Sequence, residues 1–120
     1  MFTWNKAKFE FSFFDVKTMD SFIKEYETCM HGIAEASDED GVIRGSKNLK
    51  AACQSVRNFF DRIFGAGSAN KMFGNRYDYL ECQKALLKIA NTVKAQQEEQ
   101  ASVAASLASA FQSKEEVEEE

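Results

Sequence analysis

The chain has 120 residues, of which 44% are hydrophobic and 12% aromatic, and its formal net charge is −4. This length and composition predict one globular domain with a modest core, and they argue against a disordered chain. No apolar run reaches the roughly 18–20 residues of a membrane span, and the N-terminus lacks the pattern of a signal peptide. We therefore expect a cytosolic protein.

Charge is distributed in three blocks. Residues 1–43 carry four basic and nine acidic side chains, residues 44–94 carry ten and three, and residues 95–120 carry one and seven. A basic block between two acidic ones predicts either internal charge matching or a basic face for a partner.

Alternating aromatic residues open the chain. Phe2 and Trp4 precede the polar pair Asn5-Lys6, and then come Phe9, Phe11 and Phe13. This period-two pattern predicts a β-hairpin with one apolar face. Because an isolated hairpin is only marginally stable in water, we expect it to pack on the helices that follow.

Two amphipathic helices are predicted next, over residues 17–36 and about 46–64, from apolar residues spaced three and four apart. Asp15 is placed to cap the first helix and Ser46 the second. Gly65 is placed to end the second helix in a left-handed conformation.

A single helical turn from Ser68 to Met72, stopped by Gly74, leads to a third helix that is predicted to begin at Asn75 to Asp78. Its core face is formed by Tyr79, Cys82, Leu86, Ile89 and Val93. This helix has the most regular apolar spacing in the chain.

The composition changes after Lys94. Alanine, glutamine, glutamate and serine dominate, with a weak apolar stripe of Val103, Leu107 and Phe111 before an acidic tail. We predict a folded domain over residues 1–94 and a polar, acidic extension over residues 95–120, which is conditionally helical or disordered. Its order is expected to depend on a partner or on another copy of the chain.

The predicted fold class is therefore mainly α with a small β part (α+β). An N-terminal β-hairpin packs on a three-helix body, and a long C-terminal helix or flexible tail follows.

Catalytic, metal and cofactor sites find little support in the residue pattern. The three cysteines are Cys29, Cys53 and Cys82; they are too widely spaced for a typical metal site, and we expect them to be reduced and buried. Cys29 and His31 are two residues apart on a helix, so their side chains point about 200° apart and cannot form a nucleophile–base pair. We predict no enzyme, no metal and no cofactor.

Two short motifs favour structural readings over ligand binding. Gly65-Ala66-Gly67 follows a helix rather than a strand and lacks the lysine of a phosphate loop, so a helix end is favoured over a nucleotide site. The stretch 37–41 matches only the start of a calcium loop.

Nucleic-acid binding is a weaker alternative that the basic block leaves open. Its lysines and arginines fall opposite the apolar stripes, where a solvated helix face would place them: Arg44, Lys47, Lys50, Arg57, Lys84, Lys88 and Lys94. The chain has no recognised sequence motif of a DNA-recognition helix, and its net charge is negative.

The run from Phe59 to Gly74 is the most specific part of the sequence. It reads Phe-Phe-Asp, two variable residues, Phe-Gly, one variable residue and Gly, and ends in Phe-Gly. This block resembles a pattern in the tail assembly chaperones of long-tailed phages and prophages of Gram-positive bacteria, small proteins encoded beside the tape-measure gene. The resemblance covers roughly residues 1–95. One departure is Ala66, where members of that family often carry an acidic residue.

The resemblance implies a non-enzymatic chaperone in the cytoplasm of the bacterial host, which binds the tape-measure protein and keeps it soluble during tail assembly. The tail-tube protein and a homo-oligomer are further candidate partners. The implied contacts are the exposed members of Phe59, Phe60, Ile63, Phe64 and Phe73, together with Val103, Leu107 and Phe111. The first five have a second interpretation, in which they close the core.

Two other functions stay open at this point. The charge blocks also suit a small phage-encoded inhibitor that binds a host defence protein, and a protein that binds nucleic acid through a basic face.

Overall fold

The structure is a computed structural model that describes the backbone of residues 1–119 and the side chains of residues 1–112. This part of the chain forms two strands and four helices: β1 (Phe2–Trp4), β2 (Ala7–Phe9), α1 (Val16–Ala36), α2 (Ser46–Phe64), α3 (Ser68–Phe73) and α4 (Tyr79–Glu119). The protein is mainly α with a small β part, as the sequence predicts. Among the residues described, no helix combines the length and apolar character needed to cross a membrane.

The β-hairpin is shorter than the aromatic alternation suggests. β1 and β2 pair antiparallel, with Phe2 opposite Phe9, and Asn5 in the turn takes a left-handed φ of 52°, which asparagine tolerates better than most residues. The ladder ends at Phe9. Phe11 and Phe13 lie beyond it, yet both are buried, so their alternation reflects packing against the helices rather than strand pairing.

Helix capping follows the prediction at α1 and departs from it at α2. The Asp15 carboxylate accepts a hydrogen bond from the Thr18 N–H at 3.1 Å, as a side-chain N-cap should. The predicted Ser46 cap is wrong, because Gly45 with φ 82° is the capping residue and Ser46 already lies in the helix. Glycine precedes α2 because only glycine adopts this positive φ without strain.

The end of α2 also differs in detail from the prediction. Gly65 ends the helix with a positive φ of 109°, but its ψ of 157° is not left-handed helical. The left-handed residue is Gly67, with φ 89° and ψ −5°, and it caps α3. Both glycines are needed, because side chains disfavour positive φ.

The core is built around α2, which packs against α1 on one side and α4 on the other. At Gly32 of α1, an added β-carbon would lie 2.3 Å from the Ser55 Oγ of α2, so the absence of a side chain allows this close approach. The hairpin covers the end of α2 through Phe2, whose ring stacks on Phe60 at 5.8 Å and on Phe64 at 5.7 Å.

The last helix, α4, continues far past the rest of the fold. It has 41 residues, which corresponds to about 60 Å at 1.5 Å per residue. Its packed part ends at Gln96, whose side chain accepts from the Phe13 N–H at 2.7 Å and donates to the Phe11 carbonyl at 2.9 Å. Residues 95–119 are helical, and the predicted domain boundary at residue 94 stays a prediction.

Candidate binding surface

Most of the aromatic block that carries the resemblance lies inside the fold. Phe59, Phe60 and Phe73 are at most 5% exposed, and Ile63 and Phe64 are half-buried against the same core. The three buried rings offer no surface to a partner in this structure, so their expected partner contacts are corrected here: they close the core. A contact through Ile63 or Phe64 stays a prediction.

The glycines and Asp61 explain why this block forms a corner. Asp61 lies in the last turn of α2, and its carboxylate accepts a hydrogen bond from the Ala69 N–H at the start of α3, at 2.8 Å. The chain therefore reverses around a side-chain cap rather than through a free loop. Ala66, the departure from the family pattern, lies exposed in this turn and does not disturb the buried part.

Arg57 is a structural residue that the sequence analysis placed on a solvated basic face, and that placement is wrong. Its side chain is 5% exposed. The guanidinium donates to the Gly74 carbonyl at 2.9 Å, to the Arg76 carbonyl at 3.3 Å and to the Asn70 side chain. A planar group with five N–H donors fits several fixed acceptors at once, so Arg57 fastens the segment after α3 to α2.

Lys88 is a second basic residue with a structural role, because it contacts the hairpin. Its ammonium donates to the Thr3 carbonyl and lies 5.6 Å from the Phe2 ring centre and 5.8 Å from the Trp4 ring centre. Such cation–π contacts hold the hairpin to α4. Arg57 and Lys88 together therefore reduce the free charge of the basic block.

The projecting part of α4, residues 97–112, is exposed at every position. We call this segment the extension. Three of its residues are large and apolar: Val103 is 52% exposed, Leu107 67% and Phe111 63%. Their spacing of four residues places them on one side of the helix, and we call this set the extension stripe.

Two members of the extension stripe, Val103 and Leu107, continue the face that α4 buries in the body. Spacings of four and three residues lead from the core through Gln96 to the exposed positions: Cys82, Leu86, Ile89, Val93, Gln96, Gln100, Val103, Leu107 and Ala110. This is a heptad spacing, the pattern of helices that pack along their length against another helix. The body covers the first half of the face, and the described residues leave the second half uncovered.

An open cleft lies where the covered and uncovered halves meet. Phe11 and Phe14 form one wall, and Gln100, Val103 and Leu107 belong to the other, around a volume of about 410 Å³. Phe14 is 44% exposed. The extension stripe therefore begins at a partly apolar cleft on the body.

Comparison with known proteins places the chain in a family. Residues 5–118 match the family of unknown function DUF6673. The chain belongs to that family. The matched range includes both the body and the extension. No curated protein and no solved structure matches it.

The cysteines of the DUF6673 protein are buried, as the sequence predicts, and their thiols are poor nucleophiles. Cys29, Cys53 and Cys82 come from α1, α2 and α4 and are all free thiols. Burial raises the pKa of Cys29 and of Cys82 to about 12, which keeps both thiols protonated at neutral pH and suppresses their nucleophilicity.

The polar residues considered for chemistry are dispersed in the DUF6673 fold. His31 is exposed, and its Nε2 lies 3.1 Å from a Glu35 carboxylate oxygen one turn away. Asp38 uses its carboxylate to accept from the Asp40 and Val42 N–H groups, which makes the 37–41 stretch a turn. Within the described residues, no group of three His, Cys, Asp or Glu side chains is placed to hold a metal ion.

A second, smaller apolar surface lies between α1 and α4 of the DUF6673 body. Tyr26, Met30 and Ile33 face Leu86 and Leu87 around a groove of about 250 Å³. Not all of these apolar residues are buried, since Met30 of α1 is 42% exposed and Leu87 of α4 is 61% exposed. This groove is smaller than the cleft beside Phe14, about 250 Å³ against about 410 Å³, so we favour the extension stripe as the binding candidate.

Proposed function

We propose that this DUF6673 protein is a non-enzymatic tail assembly chaperone of a phage or prophage, which binds the tape-measure protein and keeps it soluble in the cytoplasm of the bacterial host. The resemblance of the Phe59–Gly74 block to such chaperones supports the proposal. The single observation that carries it is the extension stripe, an exposed apolar helix face in which Val103 and Leu107 continue the heptad spacing of the core face and Phe111 lies one turn further along.

The physical argument starts from the nature of the proposed client. A tape-measure protein is a long helical chain whose apolar stripes would aggregate if they were left uncovered. A helix with an exposed apolar stripe is a suitable complement of such a chain, because helices with matching apolar faces pack side by side. Val103, Leu107 and Phe111 would supply that seam.

The size of the stripe suits a reversible contact. Fully burying one Val, Leu or Phe side chain contributes about 1.5–3 kcal/mol, and association of two molecules costs an estimated 4–15 kcal/mol. Three side chains therefore give weak binding per copy. Many copies along one client would cover it, and each would be displaced easily when tail-tube subunits assemble around the tape measure.

The nucleic-acid alternative loses support from the fold. Arg57 is buried and bonded to carbonyl groups, and Lys88 is bonded to the hairpin. The buried Arg57 is therefore not available for phosphate contacts, whereas Lys88 is exposed and already has a partner on the hairpin.

Co-expression with a tape-measure fragment tests the proposal. The wild-type protein should raise the soluble fraction of the fragment and co-purify with it. Leu107→Glu should abolish both effects, because it places a charge in the apolar seam, whereas Ala105→Glu adds the same charge on the opposite side of the helix and should have no effect. Absence of rescue by the wild type, or equal rescue by Leu107→Glu, would overturn the proposal.

A further inference from the structure

We propose that Cys53 and Cys82 form an oxidative modification site, at which a hydroperoxide converts their two thiols into a disulfide that links α2 to α4. The site lies inside the body and does not involve the extension stripe. The inference therefore goes beyond the chaperone proposal and does not depend on it.

The three cysteines come together in the fold although they are far apart in the sequence. Cys29, Cys53 and Cys82 belong to α1, α2 and α4, and all three lie in one hydrophobic core cluster. Burial, and then the three thiols, raise the pKa of Tyr79, which places this phenol close to all of them. The fold thus gathers its thiols in one part of the core.

Within this cluster, Cys53 and Cys82 are the pair in contact. The Cys82 thiol hydrogen-bonds to the Cys53 sulfur, and the two residues are 1% and 0% exposed. Ala52 and Ala85, which lie beside them on α2 and α4, are also fully buried, and small side chains at a contact allow two helices to approach closely. A disulfide requires such an approach, because its Cα atoms are usually about 4.4–6.8 Å apart.

The two thiols differ in how readily they ionise. Burial raises the pKa of Cys53, and Asp78 adds to this effect, but the adjacent Cys82 thiol and the Arg57 guanidinium one turn along α2 lower it. Burial raises the pKa of Cys82 to about 12. Cys53 is therefore the thiol that attacks the oxidant, and Cys82 is the thiol that resolves the product.

The reaction proceeds in two steps. The Cys53 thiolate attacks the terminal oxygen of the hydroperoxide, the O–O bond breaks, and the departing alkoxide takes up the proton that Cys53 lost, which leaves a sulfenic acid and an alcohol. The sulfur of Cys82 then attacks the Cys53 sulfur, the S–O bond breaks, and the hydroxyl leaves as water with the Cys82 proton. The two thiols lose two electrons, and the hydroperoxide gains them.

Burial makes this reaction slower than at a surface thiol, because the oxidant reaches Cys53 only when α2 and α4 open locally. The product closes a loop over residues 53–82, which contains α3 and the segment that Arg57 fastens to α2. A disulfide restricts the unfolded chain, so the oxidised body should be more stable than the reduced one.

Thiol counting on the wild type tests the inference. The native protein is treated with hydrogen peroxide for much longer than the exposed thiol of an Ala105→Cys variant needs to react, then denatured, alkylated and weighed by mass spectrometry. We expect the alkylated thiols to fall from three to one without covalent dimers, and dithiothreitol to restore all three. Peptide mapping should recover Cys53 linked to Cys82. Retention of all three thiols, a loss that dithiothreitol does not reverse, or a link to Cys29 would overturn the inference.

Cysteine variants test the pairing independently. Cys29→Ala is the matched control, because it removes a buried thiol outside the pair, and peroxide should consume both of its remaining thiols. Cys53→Ala and Cys82→Ala should form no intramolecular disulfide. A disulfide that forms in either variant at the wild-type rate would show that the pairing is not specific and would overturn the inference.

Oxidation in concentrated urea separates native pairing from chance pairing. The unfolded chain should give all three possible links, with Cys29–Cys53 favoured because it closes the shortest loop, whereas the native protein should give only Cys53–Cys82. The same mixture from both samples would show that the unfolded chain reacts, and the inference would fail. The oxidised protein should also unfold at a higher urea concentration than the reduced one, and an equal or lower midpoint would contradict the proposed link.

Discussion

The carboxylate of Asp61 accepts a hydrogen bond from the backbone N–H of Ala69 at 2.8 Å, and this bond joins the end of α2 to the start of α3. Gly67 adds the left-handed turn between them. The Phe-Phe-Asp to Phe-Gly block is therefore a capped corner that carries buried rings on both sides.

Replacing Asp61 should loosen this corner. We expect Asp61→Ala to lower the free energy of unfolding by about 1–2 kcal/mol, the usual loss when a side-chain cap is removed, while Asp61→Asn should retain much of the stability. Urea unfolding followed by the fluorescence of Trp4, the single tryptophan, measures the effect. Asp20→Ala, at an exposed position of α1, is the matched control, and an equal loss in both variants would contradict the role of Asp61.

Arg57 should contribute more to stability than a surface arginine. Arg57→Met removes the hydrogen bonds that the buried guanidinium donates to the Gly74 and Arg76 carbonyls and to the Asn70 side chain, and a hydrogen bond from a charged group contributes about 1.5–3 kcal/mol. Arg57→Lys should not restore stability, because an ammonium cannot match the planar fork. Arg62→Met, at an exposed ion pair with Glu25, should cost at most about 1 kcal/mol. Similar losses from both arginines in thermal unfolding would contradict this account.

The buried thiols predict a loss of stability in alkali. The pKa of Cys29 and of Cys82 is raised from 9.0 to about 12 in the folded protein. Between these values the unfolded chain releases protons that the folded chain keeps, so stability falls as the pH rises above 9. Each thiol should cost about 1.4 kcal/mol of unfolding free energy per pH unit in that range.

Urea titrations at several pH values from 8 to 11 measure this slope. Cys29→Ala removes one of the two thiols and should give a shallower loss with pH, which separates the thiol contribution from the titration of lysine and tyrosine. A slope that does not change in Cys29→Ala would show that this thiol titrates normally in the folded protein.

Truncation tests where the folded body ends. A chain of residues 1–99 keeps Gln96, which bonds to the Phe11 carbonyl and the Phe13 N–H, and should unfold cooperatively with nearly the stability of the full chain. A chain of residues 1–94 loses both bonds and should be less stable by about 1–3 kcal/mol. Circular dichroism with urea distinguishes them. If both truncations are equally stable, the predicted boundary at residue 94 is adequate; if neither folds, the body needs the extension.

Much of the fold could be predicted because its signals are local. Asp15 caps α1 in the way its position and residue type suggest, and the heptad spacing of Leu86, Ile89 and Val93 marks the core face of α4. The end of β2 at Phe9 could not be predicted from the sequence, because Phe11 and Phe13 continue the same alternation although they pack on the helices.

The candidate surface was only partly predictable. Phe59 and Phe60 are apolar whether they face a core or a partner, so sequence alone could not decide between the two. Arg57 lies four residues after the buried Cys53 and three before Phe60, a position on the apolar face that its charge concealed. The exposure of Leu107 could be predicted from the polar residues around it in the sequence. A helical segment of that composition has too little apolar surface to form a core.

The central claim is that the extension stripe binds an amphipathic helix of the tape-measure protein, and a binding titration tests it most directly. A fluorescently labelled helical segment of that protein is titrated with wild type, Leu107→Glu and Ala105→Glu, and its anisotropy is recorded. We expect saturable binding by the wild type and by Ala105→Glu, with affinity at least about tenfold lower for Leu107→Glu. Equal affinity for all three proteins, or no binding to the wild type, would contradict the claim.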